Sequence, residues 1–257
     1  MIRLQTRVAK AGWGDHRFRG HGVYEDLLGK TSLSQLLALA LGVTLNAEEA
    51  VFLDELAVSS TLADPHIWPL KLTRVAGAHG GSLMTGLAAG LLATDGPLMG
   101  AGAVGPAAEW LHQLVQSKSI PLIRAEVRAV LAAGGRLPGF GVPARRVDER
   151  VSAIDRCVVA RGRAALPCWA AWTAIVEETR ERSLEPNLAS AFSAVVLDLG
   201  FPPNRAAAVM HLCLLACFLA NTVEGMDQQP EILRSIPSES MQYCGPARRP
   251  TSRASSR

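Results

Sequence analysis

Titratable side chains are scarce in this chain, so the places where chemistry could reside are few. Ala63-Asp64-Pro65-His66 offers a carboxylate, a candidate base, and an imidazole, a candidate hydrogen-bonding or proton-transfer group. Asp95-Gly96-Pro97-Leu98-Met99-Gly100-Ala101-Gly102 is a turn of small residues, and glycine lets a backbone approach another backbone or a ligand closely. No Lys-Ser/Thr follows this turn and no strand precedes it, so it is not a phosphate loop. Arg145-Arg146 presents two guanidinium forks, the geometry that binds carboxylate or phosphate bidentately. Glu185-Pro186-Asn187 adds a carboxylate and an amide. Cys213 and Cys217 lie four apart on one helical face, as a metal pair could, but His211 is off that spacing and the neighbours are apolar. They read as buried small hydrophobes, and no metal site is expected.

The elements that must position these residues are helical almost throughout, with strand alternation nearly absent. Thr31 or Ser32 can cap a helix over Leu33–Leu41, which Gly42 stops. Asn46 followed by Glu48 and Glu49 starts another, with Ala50, Leu53, Leu56 and Ala57 keeping the three-and-four spacing. Further helices are expected from Pro106, over Leu122–Ala133, Asp148–Val159, Cys168–Arg180, Pro186–Leu199 and Asn204–Val223. The reading is an all-α fold of nine or ten helices. Two stretches, Ser82–Val104 and Ala206–Ala220, are the most apolar. The first is interrupted by Asp95-Gly96-Pro97 and the second is short of the roughly 20 residues that span a bilayer, so both read as buried core helices.

Composition excludes several classes. The chain of 257 residues is 49% apolar and only 19% charged, too apolar for disorder. Its net charge of +3 belongs to the ends: Arg248–Arg257 holds four arginines and no acid, and residues 1–19 hold five bases against Asp15. The remaining body carries 17 bases and 22 acids, the opposite of a nucleic-acid-binding surface. Five cysteines without a paired spacing, and a polar, basic opening segment, point to reduced thiols and a cytoplasmic protein.

Several motifs stand in an order that resembles the citrate synthase and citryl-CoA lyase superfamily. Arg19-Gly20-His21 and Leu27-Leu28-Gly29-Lys30 resemble its early R-G-Y/H…D-L-I-G-R segment. Asn46-Ala47-Glu48-Glu49-Ala50 resembles P-T-P-E-E-A, and Gly96–Gly102 resembles the substrate turn G-P-x-H-G-G-A. Leu137-Pro138-Gly139-Phe140-Gly141 resembles the I-P-G-F-G hinge, Glu185-Pro186-Asn187-Leu188 the P-N-V-D segment, and Phe201-Pro202-Pro203 the turn after it. Tyr243–Arg249 resembles the Y-V-G-P-x-R close. The match spans about residues 18–250, and the length is nearer to the lyase-like members.

The resemblance implies a multi-helical large domain with a small helical domain, a homodimer, and a coenzyme A thioester in the cleft between domains. The expected division is an N-terminal extension 1–17, large-domain parts 18–134 and 186–247, a small domain with its hinge at 135–185, and a basic tail 248–257. The family's reaction, C–C bond formation or cleavage beside a thioester, uses two histidines and an aspartate. By the resemblance, Pro65 stands where the first histidine follows Ala-Asp, with His66 one place later; Met99, Val142 and Ala189 stand at the turn histidine, the hinge histidine and the aspartate, and the late H-x-x-E-Q is Asn221–Gly225. His66 is then the candidate retained imidazole, with Asp64 or Glu185 as substitute carboxylate. Met99, Gly100, Arg145, Arg146 and Asn187 are the expected ligand contacts. Two functions remain open: an acyl-CoA enzyme with altered catalytic groups, and an inactive homologue that binds or regulates.

Overall fold

A computed structural model describes residues 5–14, 16–62, 64, 66–96, 99–142, 146–228, 235 and 237–247. Arg145 and the tail therefore lie outside the described residues. Among the described residues there are ten α-helices: α1 Leu33–Ala40, α2 Ala47–Ser59, α3 Trp68–Gly80, α4 Leu83–Ala93, α5 Ala101–Ser117, α6 Ile120–Ala132, α7 Glu149–Ala160, α8 Pro167–Arg180, α9 Leu188–Asp198 and α10 Ala206–Asp227. Three two-residue strands, β1 Ala9–Lys10, β2 Arg17–Phe18 and β3 His21–Gly22, form an antiparallel sheet in sequential order. The expected all-α fold is what forms.

Local chemistry accounts for the boundaries. The Ser32 side chain accepts from the Gln35 amide at 3.2 Å while Gln35 Oε1 accepts from the Ser32 amide at 2.9 Å. Asn46 and Glu49 close the same reciprocal cap at 2.9 and 3.1 Å ahead of α2. Gly42, at φ +87°, ends the α1 region, as the residue without a Cβ can. One boundary differs from the sequence reading: Pro106 does not open its helix but sits inside α5, on the second turn. Gly100 starts the helix earlier because its φ of +73° turns the chain there, and Pro106 merely leaves one carbonyl of the turn before it without a helical donor.

α10 is longer than expected, at 22 residues, and runs down the middle of the molecule against α2, α3, α4, α5 and α9. With its leading 3₁₀ turn, Pro203–Asp227 is long and apolar enough to cross a membrane by length and composition, and 44% of its most apolar window is buried inside the fold. The second correction concerns α4. Only Gly86 and Gly90 of that helix are buried, while Met84 and Leu92 are largely exposed, so it is a surface helix and not a core one. Its glycines face inward to admit α10: a methyl added at Gly86 would lie 2.3 Å from Thr222 Cγ2, and one at Gly90 2.7 Å from the Phe218 ring.

α9 occupies the centre of the core, with every residue from Leu188 to Leu197 buried. Around it pack α5, α7, α8 and α10. Asp198, at its end, accepts from the Cys168 and Trp169 amides at 3.0 and 2.8 Å, so one carboxylate serves as the cap of α8. Burial holds the Asp198 carboxyl above its ordinary value despite those two donors.

Candidate functional site

The residues singled out from sequence fall into three groups. The first is knitted around the start of α9. The Asn187 amide donates to the Gly139 carbonyl at 2.9 Å, and Gly141 N–H donates to the Glu185 carbonyl at 2.8 Å. Phe140 and Pro186 thereby form an antiparallel bridge. Asn187 Nδ2 also donates to the Gly141 carbonyl at 2.9 Å, while its Oδ1 accepts from Ala189 N–H at 3.0 Å as the cap of α9. Gly139 is required here: its φ is +77°, and a Cβ would meet the Ser190 backbone nitrogen at 2.7 Å. Glu185 enters this junction through its carbonyl oxygen. Asn187, expected as a ligand contact, spends its amide on the hinge and the helix.

Asp148 completes the junction and was not singled out in sequence. It is buried, and its Oδ2 accepts from Leu188 N–H at 2.9 Å while Arg150 grips it through Nε and Nη2 at 2.7 and 2.8 Å. Burial alone would push the carboxyl up; the Arg150 guanidinium and the Leu188 and Arg150 amides outweigh it, and the group sits below its ordinary value. The signal was present as an aspartate at the start of a predicted helix, but nothing local showed that it would bond a second helix. Ala189 stands one residue further on, buried, with only a methyl where the resembled family carries a carboxylate.

The second group is the turn before α5. Gly100 takes φ +73° and ψ −139°, and Gly102 donates to the Thr94 carbonyl at 3.0 Å. A Cβ on Gly102 would meet the Gly96 carbonyl at 2.2 Å. Backbone packing within the turn thus accounts for both glycines, which the sequence left unexplained. Met99 is half-exposed at its lip.

The third group is His66 with Asp64, ahead of α3. Asp64 Oδ1 lies 2.8 Å from His66 Nδ1 and accepts from the His66 amide at 2.9 Å. The His66 side chain is 86% exposed. Among the described residues, the contacts that join Glu185, Asn187 and the hinge do not extend to this pair or to Met99 and Gly100. Arg146 is exposed beside the hinge.

Sequence reasoning set His211 aside, and the structure gives it a place. It faces the end of α4; burial lowers its pKa below the ordinary histidine value, and the negative charge of Asp95 and the Leu91 carbonyl oppose the shift. A lone titratable residue in the apolar run Ala206–Ala220 was the signal. The cysteines behave as read: Cys213 and Cys217 are buried, and burial pushes the Cys213 thiol up to about 12, far from a thiolate.

An all-helical core threaded by one long helix, with a Pro-Gly-Phe-Gly hinge stitched to a buried helix start, defines a citrate synthase-like architecture. The family described as citrate synthase, C-terminal domain, matches residues 71–235, and the chain belongs to it. Citryl-CoA lyase from Hydrogenobacter thermophilus superposes with a TM-score of 0.84 at 20% identity, covering 99% of both chains. ATP citrate lyase from Methanothrix soehngenii, solved with citrate and coenzyme A, gives 0.78 at 18% identity over 96% of this chain and 43% of its own. Citrate synthase from Thermoplasma acidophilum, solved with carboxymethyl coenzyme A and oxaloacetate, gives 0.66 at 19% identity over 88% of this chain and 60% of its own. At these identities the likeness is one of fold. No curated protein sequence matches the chain significantly.

Proposed function

We propose that the protein binds an acyl-coenzyme A thioester together with a small carboxylic acid, and acts on it by C–C bond cleavage or formation with groups other than the family's. The observation that carries this reading is the hinge junction. Gly139, Gly141 and Asn187 fix the hinge against the start of α9 by three hydrogen bonds, and Asp148, paired with Arg150, ties the start of α7 to the same helix. Arg145 and Arg146 follow the hinge in sequence, after Pro143-Ala144. Guanidinium groups supply what phosphate and carboxylate need, and segment 135–185 is the lobe that would close over them. His66 and Asp64 remain the nearest substitutes for the missing imidazole and base, with Glu185 a third.

A second reading has its own observation. Ala189 is buried at the start of α9, so the position from which the family works holds a methyl group with no room for a rearranged acid. On that reading the protein is an inactive homologue that keeps ligand binding and serves as a regulatory partner. Calorimetric titration with coenzyme A, acetyl-coenzyme A and citrate separates the fold from the function: binding of none at millimolar ligand overturns both readings. Binding with product formation supports the first and binding alone the second.

The protein is further proposed to be a homodimer through α3 and α4. Leu72, Met84 and Leu92, with Val223 and Met226 on α10, leave an apolar face exposed on this side. Sedimentation at micromolar concentration should show a dimer that Leu92→Glu with Met84→Glu converts to monomer, and a wild-type monomer overturns the proposal.

A further inference from the structure

α1, α2 and the start of α10 do not close on one another completely. Between them lies a cavity of about 170 Å³ that opens to solvent on one side. Its floor is Phe201, Val209 and Cys213, all buried, and its walls are Leu37, Leu41 and Leu53. Small residues keep it open: Ala38 and Ala57 stand in the lining, where longer side chains would fill part of the space. An apolar cavity of about 150 Å³ stays dry and takes up a molecule the size of benzene. This one therefore has room for a body of about five or six carbon atoms.

The mouth is polar, and its polarity has a sign. Ser34 on α1 donates its hydroxyl to Asp54 Oδ1 on α2, which ties the two helices together across the opening. Both residues line the cavity. Ser34 is the hydrogen-bond partner that Asp54 has among the described residues, so Oδ2 is left to accept from something else. Asp54 is exposed, and it is the one charged side chain in the lining. Burial pushes the Cys213 thiol up to about 12, so the floor stays neutral. The hinge junction and the Asp64–His66 pair contribute nothing to this lining.

We propose that this cavity is a ligand site separate from the hinge, and that it takes a small primary monoamine, carbon body inward and ammonium at the mouth against Asp54. The order of the two ends follows from solvation. An ammonium at the rim keeps part of its water and gains a carboxylate acceptor, while its carbon body leaves water for an apolar wall. A carboxylic acid of the same size would set its charge against Asp54. A diamine would carry its second ammonium to the floor, where nothing compensates the lost hydration. A neutral alcohol fills the cavity as well but gains less at the mouth.

Probes of one chain length separate these cases: pentylamine, 1-pentanol, pentanoate and 1,5-diaminopentane, each titrated at millimolar concentration into the full chain and followed by methyl carbon-13 spectra. The methyl resonances of Leu37, Leu53 and Val209 should move together with pentylamine. Pentylamine should bind about threefold more tightly than pentanol at low salt, the scale of one exposed ion pair, and the gap should narrow as salt is raised. Pentanoate and the diamine should bind about tenfold more weakly than pentylamine. Asp54→Asn keeps an acceptor for Ser34 and should bring pentylamine down to the affinity of pentanol. Ala57→Leu fills the cavity from a half-buried position and should weaken both by about tenfold. Thermal unfolding checks that each variant keeps the fold, and the comparison of the four probes on wild type decides the matter without either variant. Pentanol, pentanoate or the diamine binding as tightly as pentylamine overturns the proposal. So does a preference that survives Asp54→Asn, binding undiminished by Ala57→Leu, methyl shifts centred elsewhere in the protein, or no shift with any probe.

Discussion

The α3–α4–α10 stack and the junction between hinge and α9 are held together by opposite means. The stack is built from absent side chains. Gly77, Gly86, Gly90 and Gly225 let backbones and short side chains meet, and a methyl at Gly225 would stand 2.4 Å from the Arg74 carbonyl. Arg74 fastens its outer side, donating to both oxygens of Glu224 at 2.7 and 2.8 Å and to Asn221 Oδ1 at 3.2 Å. The junction is built from present ones: Asn187, Asp148, Arg150 and the Trp172 indole, which donates to Ser190 Oγ at 3.1 Å. Shape complementarity needs no charge and tolerates no added volume. A polar network tolerates small shifts but loses its worth when one partner or one proton changes. The stack is therefore the part that keeps the fold, and the junction the part whose chemistry can be retuned.

The largest effect expected sharpens that contrast at the level of activity. The junction keeps the scaffold of the family, while Met99 and Ala189 lack the imidazole and carboxylate that the resemblance places there. Removing one preorganised acid, base or oxyanion group costs ~10²–10⁴ in rate, and losses of this kind do not simply multiply. A thiol-release assay with acetyl-coenzyme A and oxaloacetate should show no citrate formation. Turnover at an ordinary enzymatic rate would sink the assignment of those two positions, and His66 and Glu185 would be the first residues to replace.

Next in size is a substitution that attacks the stack by shape alone. Gly225→Ala gains about 1 kcal/mol of helix propensity. It also drives a methyl into the Arg74 backbone, which cannot rotate away as a side chain would. Overpacking against main chain costs about 3 kcal/mol or more, so the clash wins by about 2 kcal/mol, a fall in Tm of roughly 4–8 °C for a chain of this size. Gly105→Ala, a glycine with open space around its missing Cβ, is the control and should be neutral or stabilising. Equal melting of both variants would mean that α3 and α10 are not in the close contact described.

How much of either region the sequence disclosed follows from how far its interactions reach. The caps at Ser32 and Asn46 were legible because donor and acceptor lie three residues apart, and Gly42 because a left-handed turn selects glycine. The hinge glycines were legible as a motif, although what they receive, Ser190 and Asn187, comes from a helix far along the chain. Pro106 misled because proline at a first turn is the common case, and nothing in its neighbours showed that Gly100 had already started the helix. α4 misled because an apolar, glycine-rich run reads as buried, whereas its glycines are buried while Leu83, Met84 and Leu92 are exposed. The places of His211 and Asp148 were not legible for one shared reason: each is set by a partner on another helix.

Asp148 gives the junction a pH signature of its own. Its folded-state pKa is depressed, so the stabilisation it brings is present above the ordinary aspartate value of about 3.9 and is lost as pH falls through the folded value. Asp148→Asn should cost about 2 kcal/mol at pH 7, the scale of charge-assisted hydrogen bonds left unmade. The gap between wild type and variant, measured by denaturant unfolding, should close as pH drops below about 4. A gap constant from pH 7 to pH 3 would mean that the Arg150 and Leu188 contacts do not depend on the carboxylate charge.

The smallest effect expected concerns whether the retained hinge still serves a ligand. A scaffold kept only for association has no physical need of two guanidinium groups next in sequence to a hinge that Gly139, Gly141 and Asn187 hold fixed. Charge-assisted contacts from arginine contribute about 1.5–3 kcal/mol each when desolvated and less in water. Arg146 is exposed, which places its share at the low end. Arg145→Ala with Arg146→Ala should therefore weaken binding of coenzyme A or citrate by roughly tenfold while leaving Tm without ligand unchanged. Thermal shift with and without ligand, on both proteins, reads the two quantities together. A lower Tm without ligand would make the arginines part of the junction's own structure, and an undiminished ligand shift would move the anion site away from the hinge.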